Sequence, residues 1–367
     1  MKTIEINGKK IGEGYPPFII AEAGINHNGD MDLAKKMVLS AKDAGVDAVK
    51  FQTFYAKDFI QDRRLTYTYR SQGKEITEPI IDMFERSEFT AEQWGELKEF
   101  CDSQGILFLS TPGNVSDLEL LMSIGVQAVK VGSDDFVNIP LIRRYATENV
   151  PLLLSCGMAT EEEIDLTLKN AGVYTNKELC LFLCTSEYPT PPEDVNIRKL
   201  LTLREKYPEL VLGLSDHTVG STAAVMAVAY GAGIFEKHFT LDHNLPGPDH
   251  WFSEEPEALK KWVSDVRTAY QMLGTPNLQP TEKEMQIRNE YHRSITTACD
   301  IAQGDVFTEQ NLCMRRPGDG LPGSMWDEVI GKQAKRDIGA NVQLKRGDIS
   351  RKRLIITMRS QICLILR

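Results

Sequence analysis

LVLGLSDH (residues 210–217) and IFEKHFT (234–240) are short apolar, β-branched runs that end in polar side chains. Near-continuous apolar runs of this length mark strands buried on both faces, as in a parallel sheet. Six similar runs precede them: FIIAEA (18–23), DAVKFQ (47–52), ILFLST (106–111), AVKVGS (128–133), LLLSCG (152–157) and LCLFLCTS (179–186). Between them lie helical patterns such as MDLAKKMVLSAKDAG (31–45) and VSDLELLMSIG (115–125). Strand and helix alternate, so the sheet is parallel with right-handed crossovers. An open doubly wound sheet also fits the alternation. Eight βα units without a GxGxxG opening favour closure into a (β/α)₈ (TIM) barrel.

Strand side chains alternate, so residues two apart share a face. Ser215 pairs in this way with His217, Glu236 with His238, and Lys50 with Gln52. The C-terminal ends of barrel strands converge on one mouth, where active sites of this fold lie. Two histidines on neighbouring strand ends can meet on one ion and leave its other positions to water and substrate oxygens, the arrangement of an open catalytic metal site. With few protein nitrogens and oxygen-rich remaining ligands, Mn²⁺ or Mg²⁺ is expected before a closed structural zinc. The ordinary alternative is a pair of hydrogen-bonded core histidines.

Lys50 and Lys130 stand near the ends of the second and fourth strands, where a buried ammonium is costly unless an anion offsets it. A phosphate and a carboxylate would do so. Ser110, Thr111, Ser133, Ser155, Ser186 and Ser215 bring hydroxyls to the same mouth, suited to phosphate oxygens, although helix capping is the usual work of one such serine. The first strand runs into AEAGINHNGD (21–30), which puts Glu22, Asn26, His27 and Asn28 at the mouth. Glu22 can act as a general acid/base or hold a water. Its alternative is a structural carboxylate that neutralises Lys50 or Lys130. His27 lies in a Gly-flanked turn, where orienting the loop is its alternative role.

The chain has 367 residues, 42% hydrophobic and 26% charged, with a formal net charge of −10. A soluble globular protein is expected. An acidic balance argues against non-specific nucleic-acid binding or attachment to an anionic membrane, so an anionic substrate must meet a locally positive site. The seven cysteines are scattered without a CxxC pair, which suggests neither a disulfide framework nor a zinc-thiolate site and fits a reducing cytoplasm. No leader-like apolar segment or membrane span is visible.

The connection 54–90, with YTYRSQGKEITEP (67–79), is long enough to be a lid, a dimer contact or a surface loop without a role. After the last barrel helix pattern, EALKKWVSDVRTAYQML (257–273), GTPNLQPTEKE (274–284) reads as a linker. Short strands broken by Gly and Pro follow from Arg293. The expected organisation is a barrel domain over residues 1–282, a β-rich module over 290–350 and a tail, 351–367, without an assigned role. A module of about 60 residues is near the lower limit for folding alone.

AEAGINHNGD, KFQTF, STP, KVGS, LSCGM, CTSEYPTP, GLSDHT, FEKHFTLD and GPDH, in this order over residues 18–250, resemble the bacterial sialic acid synthase family. RSI, DIAQGDVFTEQNL and RRPGDGL resemble the antifreeze-like (SAF, β-clip) domain that follows the barrel in that family. The resemblance implies an enzyme that condenses phosphoenolpyruvate with an N-acyl amino-hexose and water to a nonulosonic acid and phosphate. N-acetylmannosamine is the first expectation; 6-deoxy diacetamido sugars, which give legionaminate or pseudaminate, are the alternative.

It further implies that His217 and His238 hold the divalent metal. Lys50, Thr111, Lys130, Ser133, Ser155, Ser186 and Ser215 would bind phosphoenolpyruvate, with Glu22, Lys50 and Lys130 in the chemistry. Gln52, Tyr188 and Asp249 would contact the open-chain sugar. Arg316 would reach from the small domain to the sugar's acyl group in a partner's barrel, which implies a domain-exchanged homodimer. Two positions depart from the family's pattern: Ser186 stands where many relatives carry Asn, and SDDF (133–136) replaces an SGE-type run. The rival readings are a Schiff-base aldolase with Lys130 as nucleophile and a non-enzymatic binding role, since the C-terminal module also resembles ice-binding proteins.

Overall fold

The computed structural model describes residues 3–175 and 178–353. The chain divides into two compact units, one ending at Gly274 and the other beginning at Thr275.

In the first unit eight parallel strands form one sheet: β1 (Phe18–Gly24), β2 (Ala48–Thr53), β3 (Leu107–Pro112), β4 (Val129–Val131), β5 (Leu152–Ser155), β6 (Leu179–Cys184), β7 (Val211–Asp216) and β8 (Ile234–His238). Their spatial order is β3-β2-β1-β8-β7-β6-β5-β4, and the end strands β3 and β4 lie side by side, so the sheet curls into a nearly closed barrel. Each of the eight apolar runs has become one barrel strand.

Period-2 alternation sorts the side chains into two layers. Val49, Phe51, Leu154, Leu181, Leu212 and Phe235 point outward into the layer shared with the helices. Ile20, Ala48, Leu109, Leu153, Phe182 and Ile234 point inward and fill the lower barrel. One step further along the same inward rows, the residues change from apolar to charged or hydroxylic: Glu22, Lys50, Thr111, Ser155, Ser215 and Glu236. The barrel is thus closed by aliphatic packing below and carries a polar layer above it.

An unanticipated hairpin, Ile4–Ile6 paired antiparallel with Lys9–Ile11, contributes Ile4, Ile6 and Ile11 to the lower cluster and plugs that end of the barrel. Around the strands, helix Met31–Asp43 starts where the Asp30 carboxylate accepts from the Asp32 and Leu33 amides, and it buries Ala34, Met37, Val38 and Ala41 at helical spacing. Helix Ala91–Gln104 begins with a Thr90/Gln93 capping box and stops at Gly105 in the left-handed region.

The 54–90 connection is ordered rather than a plain loop. It holds helix Ala56–Phe59, an antiparallel hairpin of Thr66–Ser71 with Lys74–Pro79, and helix Ile80–Glu85.

The second unit opens with helix Glu282–Tyr291, which buries no side chain of its own. Strands β9 (Ser294–Thr297) and β10 (Leu312–Arg315) pair antiparallel, as do β11 (Lys332–Ala334) and β12 (Ile349–Arg353). Ile295, Phe307, Leu312, Val329, Ile338 and Leu344 form its separate core. Residues 354–367, most of the proposed tail, lie outside the described part. Among the described residues no helix is long and apolar enough to cross a membrane.

Candidate active site

The barrel mouth opens into a cavity of about 490 Å³. At its floor the Lys50 ammonium lies 2.7 Å from Glu22 Oε2 and 3.8 Å from Glu236 Oε2, and donates to Thr111 Oγ1 at 3.0 Å. Lys130 donates to Ser155 Oγ at 2.7 Å and to its neighbour's carbonyl, Val131 O, at 3.0 Å, with Glu236 Oε1 at 3.8 Å. Ser215 donates to Glu236 Oε1 at 3.2 Å, and Gln52 to Glu22 Oε1 at 3.0 Å. Two ammonium groups and two carboxylates are therefore packed into a layer almost without solvent.

Their titration follows from this packing. Burial pushes the Glu22 carboxyl up, and although Lys50 pulls it down, the second carboxylate, Glu236, adds to the rise. Burial alone would lower Lys50, but Glu22 and Glu236 hold it above the usual lysine range. Lys130 is lowered, because burial outweighs the attraction of Glu236 and Lys50 repels it. Glu236, despite burial, is held down by Lys130 and Lys50. The two lysines and two carboxylates of the floor thus hold one another's titration, and the buried ammonium groups offer partners to an arriving anion.

One side of the cavity carries converging hydroxyls. A Cβ on Gly157 would stand 2.4 Å from Ser186 Oγ and 2.6 Å from Ser133 Oγ, so glycine is required for these hydroxyls to approach the backbone. Gly157 N–H donates to Ser133 Oγ at 3.0 Å, while Ser186 Oγ is buried with no hydrogen-bond partner. A buried hydroxyl without a partner in a polar niche is a place for a ligand oxygen.

His217 and His238 face one another with ring centroids 5.2 Å apart. His217 Nδ1 lies 2.7 Å from Thr185 O, which makes that nitrogen the donor and leaves Nε2 with its lone pair. His238 is pushed well below the ordinary histidine range by burial and by the neighbouring cations His217, Lys50 and Lys237. Its buried Nδ1 has no hydrogen-bond partner. Burial alone would lower His217, but Cys184, Thr185 O and Glu236 raise it, so the two rings differ in charge preference. Side by side, with His238 Nδ1 unpartnered and a carboxylate adjacent, they fit a divalent ion with mostly non-protein ligands. Among the described residues no group of three or more His, Cys, Asp or Glu side chains forms a closed metal cage.

Tyr188 covers the histidines, 4.2 Å from the His217 ring and 5.6 Å from His238, and also touches Phe252. Asp249 borders the same cavity, and burial together with Glu22 pushes its carboxyl up to about 7.

Every barrel residue that the family resemblance implied for chemistry, binding or the ion lines this cavity. Ser110 does not: being one residue out of phase with Thr111, it bonds to Thr53 Oγ1 and Phe51 O behind the strand. The loop residues Asn26, His27 and Asn28 also differ from expectation. Asn26 donates to Phe239 O and Ser253 Oγ, Asn28 pairs with His250, and His27 is buried among Phe51, Phe89 and Trp94. They tie the β1 loop to the barrel rather than face the cavity. Glu236 was seen as a polar strand end but given no role, although it bridges both lysines. Its place two residues before His238, on the same strand face, was the available signal. Arg316 belongs to the second unit, where it is exposed, donates from Nε to Tyr291 O at 2.9 Å and lies over the Tyr291 ring.

The fold and the cavity together define a barrel enzyme whose mouth combines a floor of two buried lysines and two carboxylates with a pair of adjacent histidines. Residues 37–277 match the NeuB family and residues 292–350 match the SAF domain. The chain belongs to the NeuB family, that of the sialic acid synthases. It is 36% identical to the N,N'-diacetyllegionaminic acid synthase of Legionella pneumophila over 93% of this chain and 97% of that protein. To the pseudaminic acid synthase of Campylobacter jejuni it is 35% identical, over 90% of this chain and 96% of that one. The crystal structure of an N-acetylneuraminic acid synthetase from Leptospira borgpetersenii, in complex with citrate, superimposes with a TM-score of 0.70 at 34% identity, covering 78% of this chain and 94% of that one.

Proposed function

We propose that this enzyme joins C3 of phosphoenolpyruvate to the aldehyde carbon of an open-chain N-acyl amino-hexose and, with water, yields a nonulosonic acid and phosphate. The observation that carries the proposal is the buried floor, where Lys50 and Lys130 converge with the hydroxyls of Thr111, Ser155 and Ser215 and Ser186 Oγ lacks a partner. A phosphate and a carboxylate on one small molecule complete that set. Lys50, Lys130, Thr111, Ser133, Ser155, Ser186 and Ser215 bind phosphoenolpyruvate, and the lysines stabilise charge on the departing phosphate.

His217 and His238 would hold Mn²⁺ or Mg²⁺, which supplies Lewis-acid polarisation of an aldehyde oxygen. The chain's own groups do the rest. The mouth holds both substrates in facing positions, which removes much of the entropic barrier. As the C=C electron pair forms the new C–C bond, C2 becomes cationic and takes up water, and phosphate leaves by C–O cleavage. Glu22, with its raised pKa, carries the proton that the aldehyde oxygen gains. Gln52, Tyr188 and Asp249 bind the sugar chain. Arg316 of a second copy binds the acyl oxygen, so the working unit is a domain-exchanged homodimer.

Assays of His217→Ala and Arg316→Ala chains, apart and mixed, test these assignments through phosphate release. Losing an ion ligand should cost at least the roughly 10- to 100-fold that loss of a ligand's outer partner costs. Losing Arg316 should raise the sugar KM, by an amount equivalent to about 1.5–3 kcal/mol. Mixed dimers should recover activity, because one barrel then keeps its histidines opposite an intact arginine. Retained activity in either single variant removes that residue from the site, and failure to complement places Arg316 in its own chain's barrel.

A further inference from the structure

The loop after β8 leaves the barrel and returns to it at one place. Thr240 N–H donates to Glu254 O at 3.0 Å and Glu254 N–H to His238 O at 2.8 Å, so residues 241–253 project from the strand end on a closed base. Pro248, Asp249 and Phe252 of this loop line the cavity. Asp249 Oδ2, Glu22 Oε1 and Gln52 Nε2 converge beside Gly24, where a Cβ would stand 3.8, 3.3 and 3.4 Å from them. Two carboxyl groups that face one small space repel when ionised, so Asp249 keeps its place only while its loop is held.

On the barrel side, Asn28 and Thr240 hold His250 by its two ring nitrogens, at 3.2 and 2.6 Å. On the other side stands the hairpin of the 54–90 connection. Ser71 Oγ accepts from Gly247 N–H at 3.2 Å, Gln72 Nε2 donates to Asn244 O at 3.0 Å, and the Arg70 guanidinium lies 5.7 Å over the Trp251 ring. These contacts fall at residues 244, 247 and 251, on both sides of Asp249. They come from three consecutive residues at the hairpin's tip, where Gln72 and Gly73, at φ of +51° and +75°, make a tight two-residue turn. The other end is braced, because Glu78 accepts from the Tyr69 hydroxyl at 2.6 Å and from both terminal nitrogens of Arg86 at 2.6 and 2.7 Å. A stiff hairpin thus links the β2 side of the mouth to the loop after β8, with β1 between them.

We propose that Ser71 and Gln72 are positioning residues for the acceptor half of the site: the hairpin tip clamps the β8 loop so that Asp249 faces the cavity beside Glu22 and Gln52. Neither residue lines the cavity itself. The inference rests on the synthase reading, in which Asp249 binds the sugar, and adds what keeps Asp249 there. Lys130 and Ser155, on β4 and β5, lie outside the clamp's reach, so phosphoenolpyruvate binding does not depend on it.

The test compares phosphate release by the wild type, Ser71→Ala/Gln72→Ala, Asp249→Ala and the triple variant. The acceptor is N-acetylmannosamine or 2,4-diacetamido-2,4,6-trideoxymannose, whichever the wild type turns over, and hydrogen exchange over residues 243–252 is followed alongside. The double variant loses two neutral hydrogen bonds, so its acceptor KM should rise roughly five- to a hundredfold while the phosphoenolpyruvate KM stays within about twofold. In the Asp249→Ala background the same pair should add no further loss, because residues that act through one group are not additive. Amides of 243–252 should exchange faster while the barrel strands keep their protection, which reports an intact fold. Gln72 is exposed, so Gln72→Ala alone gives the same readouts, smaller in size, without disturbing the fold. An unchanged acceptor KM, equal changes in both KM values, additivity with Asp249→Ala, or unaltered exchange over 243–252 overturns the proposal. An unchanged acceptor KM in Asp249→Ala alone removes Asp249 from the sugar site, and the clamp's purpose with it. Absence of phosphate release from the wild type with either sugar sinks the synthase reading, while hydrogen exchange still reads the clamp.

Discussion

Asp216 and Lys237 alternate along the chain with Ser215, His217, Glu236 and His238, yet the two sets do different work. The first two face outward, where Lys237 pairs with Asp216 at 3.1 Å and the Trp262 indole N–H donates to the same carboxylate at 3.0 Å. The other four face the cavity. A one-residue shift of register would exchange a structural ion pair for the site. This is why side-chain parity made the cavity-lining residues of the barrel strands legible in sequence. Parity also gives the reason that Ser110 fails where Thr111 succeeds. The loop after β1 has no parity to read, and His27 showed no sign of its aromatic surroundings because Phe89 and Trp94 are distant in sequence.

At the same scale Asp117, outside the cavity, has an unusual setting. It is buried in helix Val115–Ser123 with neither carboxylate oxygen in a close hydrogen bond. Burial, with Asp58 and Glu88 nearby, pushes its pKa up to about 7. A folded-state value above the unfolded one means that the folded protein binds the extra proton between about pH 4 and 7, so stability falls as pH rises through that window. Asp117→Asn should therefore unfold at a higher temperature than the wild type at pH 8, by at most about 4 kcal/mol of stability, and the gap should close near pH 4. Parallel pH profiles for the two proteins in thermal unfolding would refute the burial argument.

Among the elements, the eight barrel strands were legible because each is a nearly uninterrupted apolar run, and the flanking helices because they repeat at helical spacing. The N-terminal hairpin was missed: its strands have three residues each, too few to show alternation, although Asn7–Gly8 at the turn, both at positive φ, is a strong hairpin signal. Helix Glu282–Tyr291 was not anticipated, and its first residues fell in the 274–284 linker reading, because it has no apolar stripe; its trace is the Thr281/Glu284 capping box. The fine structure of 54–90 was illegible because its small core is shared by two short helices and supported by a hairpin. Barrel closure also depends on one absent side chain. Gly213 in β7 points inward, and a Cβ there would stand 2.7 Å from Ile234 Cγ2 and 2.8 Å from both Ile234 O and Phe182 Cδ1. Gly213→Ala should cost about 1–3 kcal/mol through overpacking between β6 and β8. An unchanged denaturation midpoint would show that the lower barrel has slack.

The whole molecule sets a net charge of −10 against a floor that gathers two buried lysines. An acidic balance disfavours non-specific anions, while the buried lysines offer one a local partner at the barrel mouth. The layer's composition was legible because lysines and hydroxyls stood at strand ends. Its balance was not, since Glu236 becomes the shared partner of both lysines only when β2, β4 and β8 are brought round one axis. Arg316 came from family resemblance alone, because nothing in strand parity or helical spacing connects the second unit to a sugar.

The central claim is that carbon–carbon bond formation proceeds with water addition at C2 and loss of phosphate by C–O cleavage. The most direct measurement uses phosphoenolpyruvate labelled with ¹⁸O at the bridging oxygen, an N-acyl amino-hexose and Mn²⁺, and follows the label by mass. The account predicts that the label leaves in inorganic phosphate while the C2 oxygen of the new keto acid comes from water. Label retained at C2 of the product, or a borohydride-trapped adduct of pyruvate on Lys130, would contradict it.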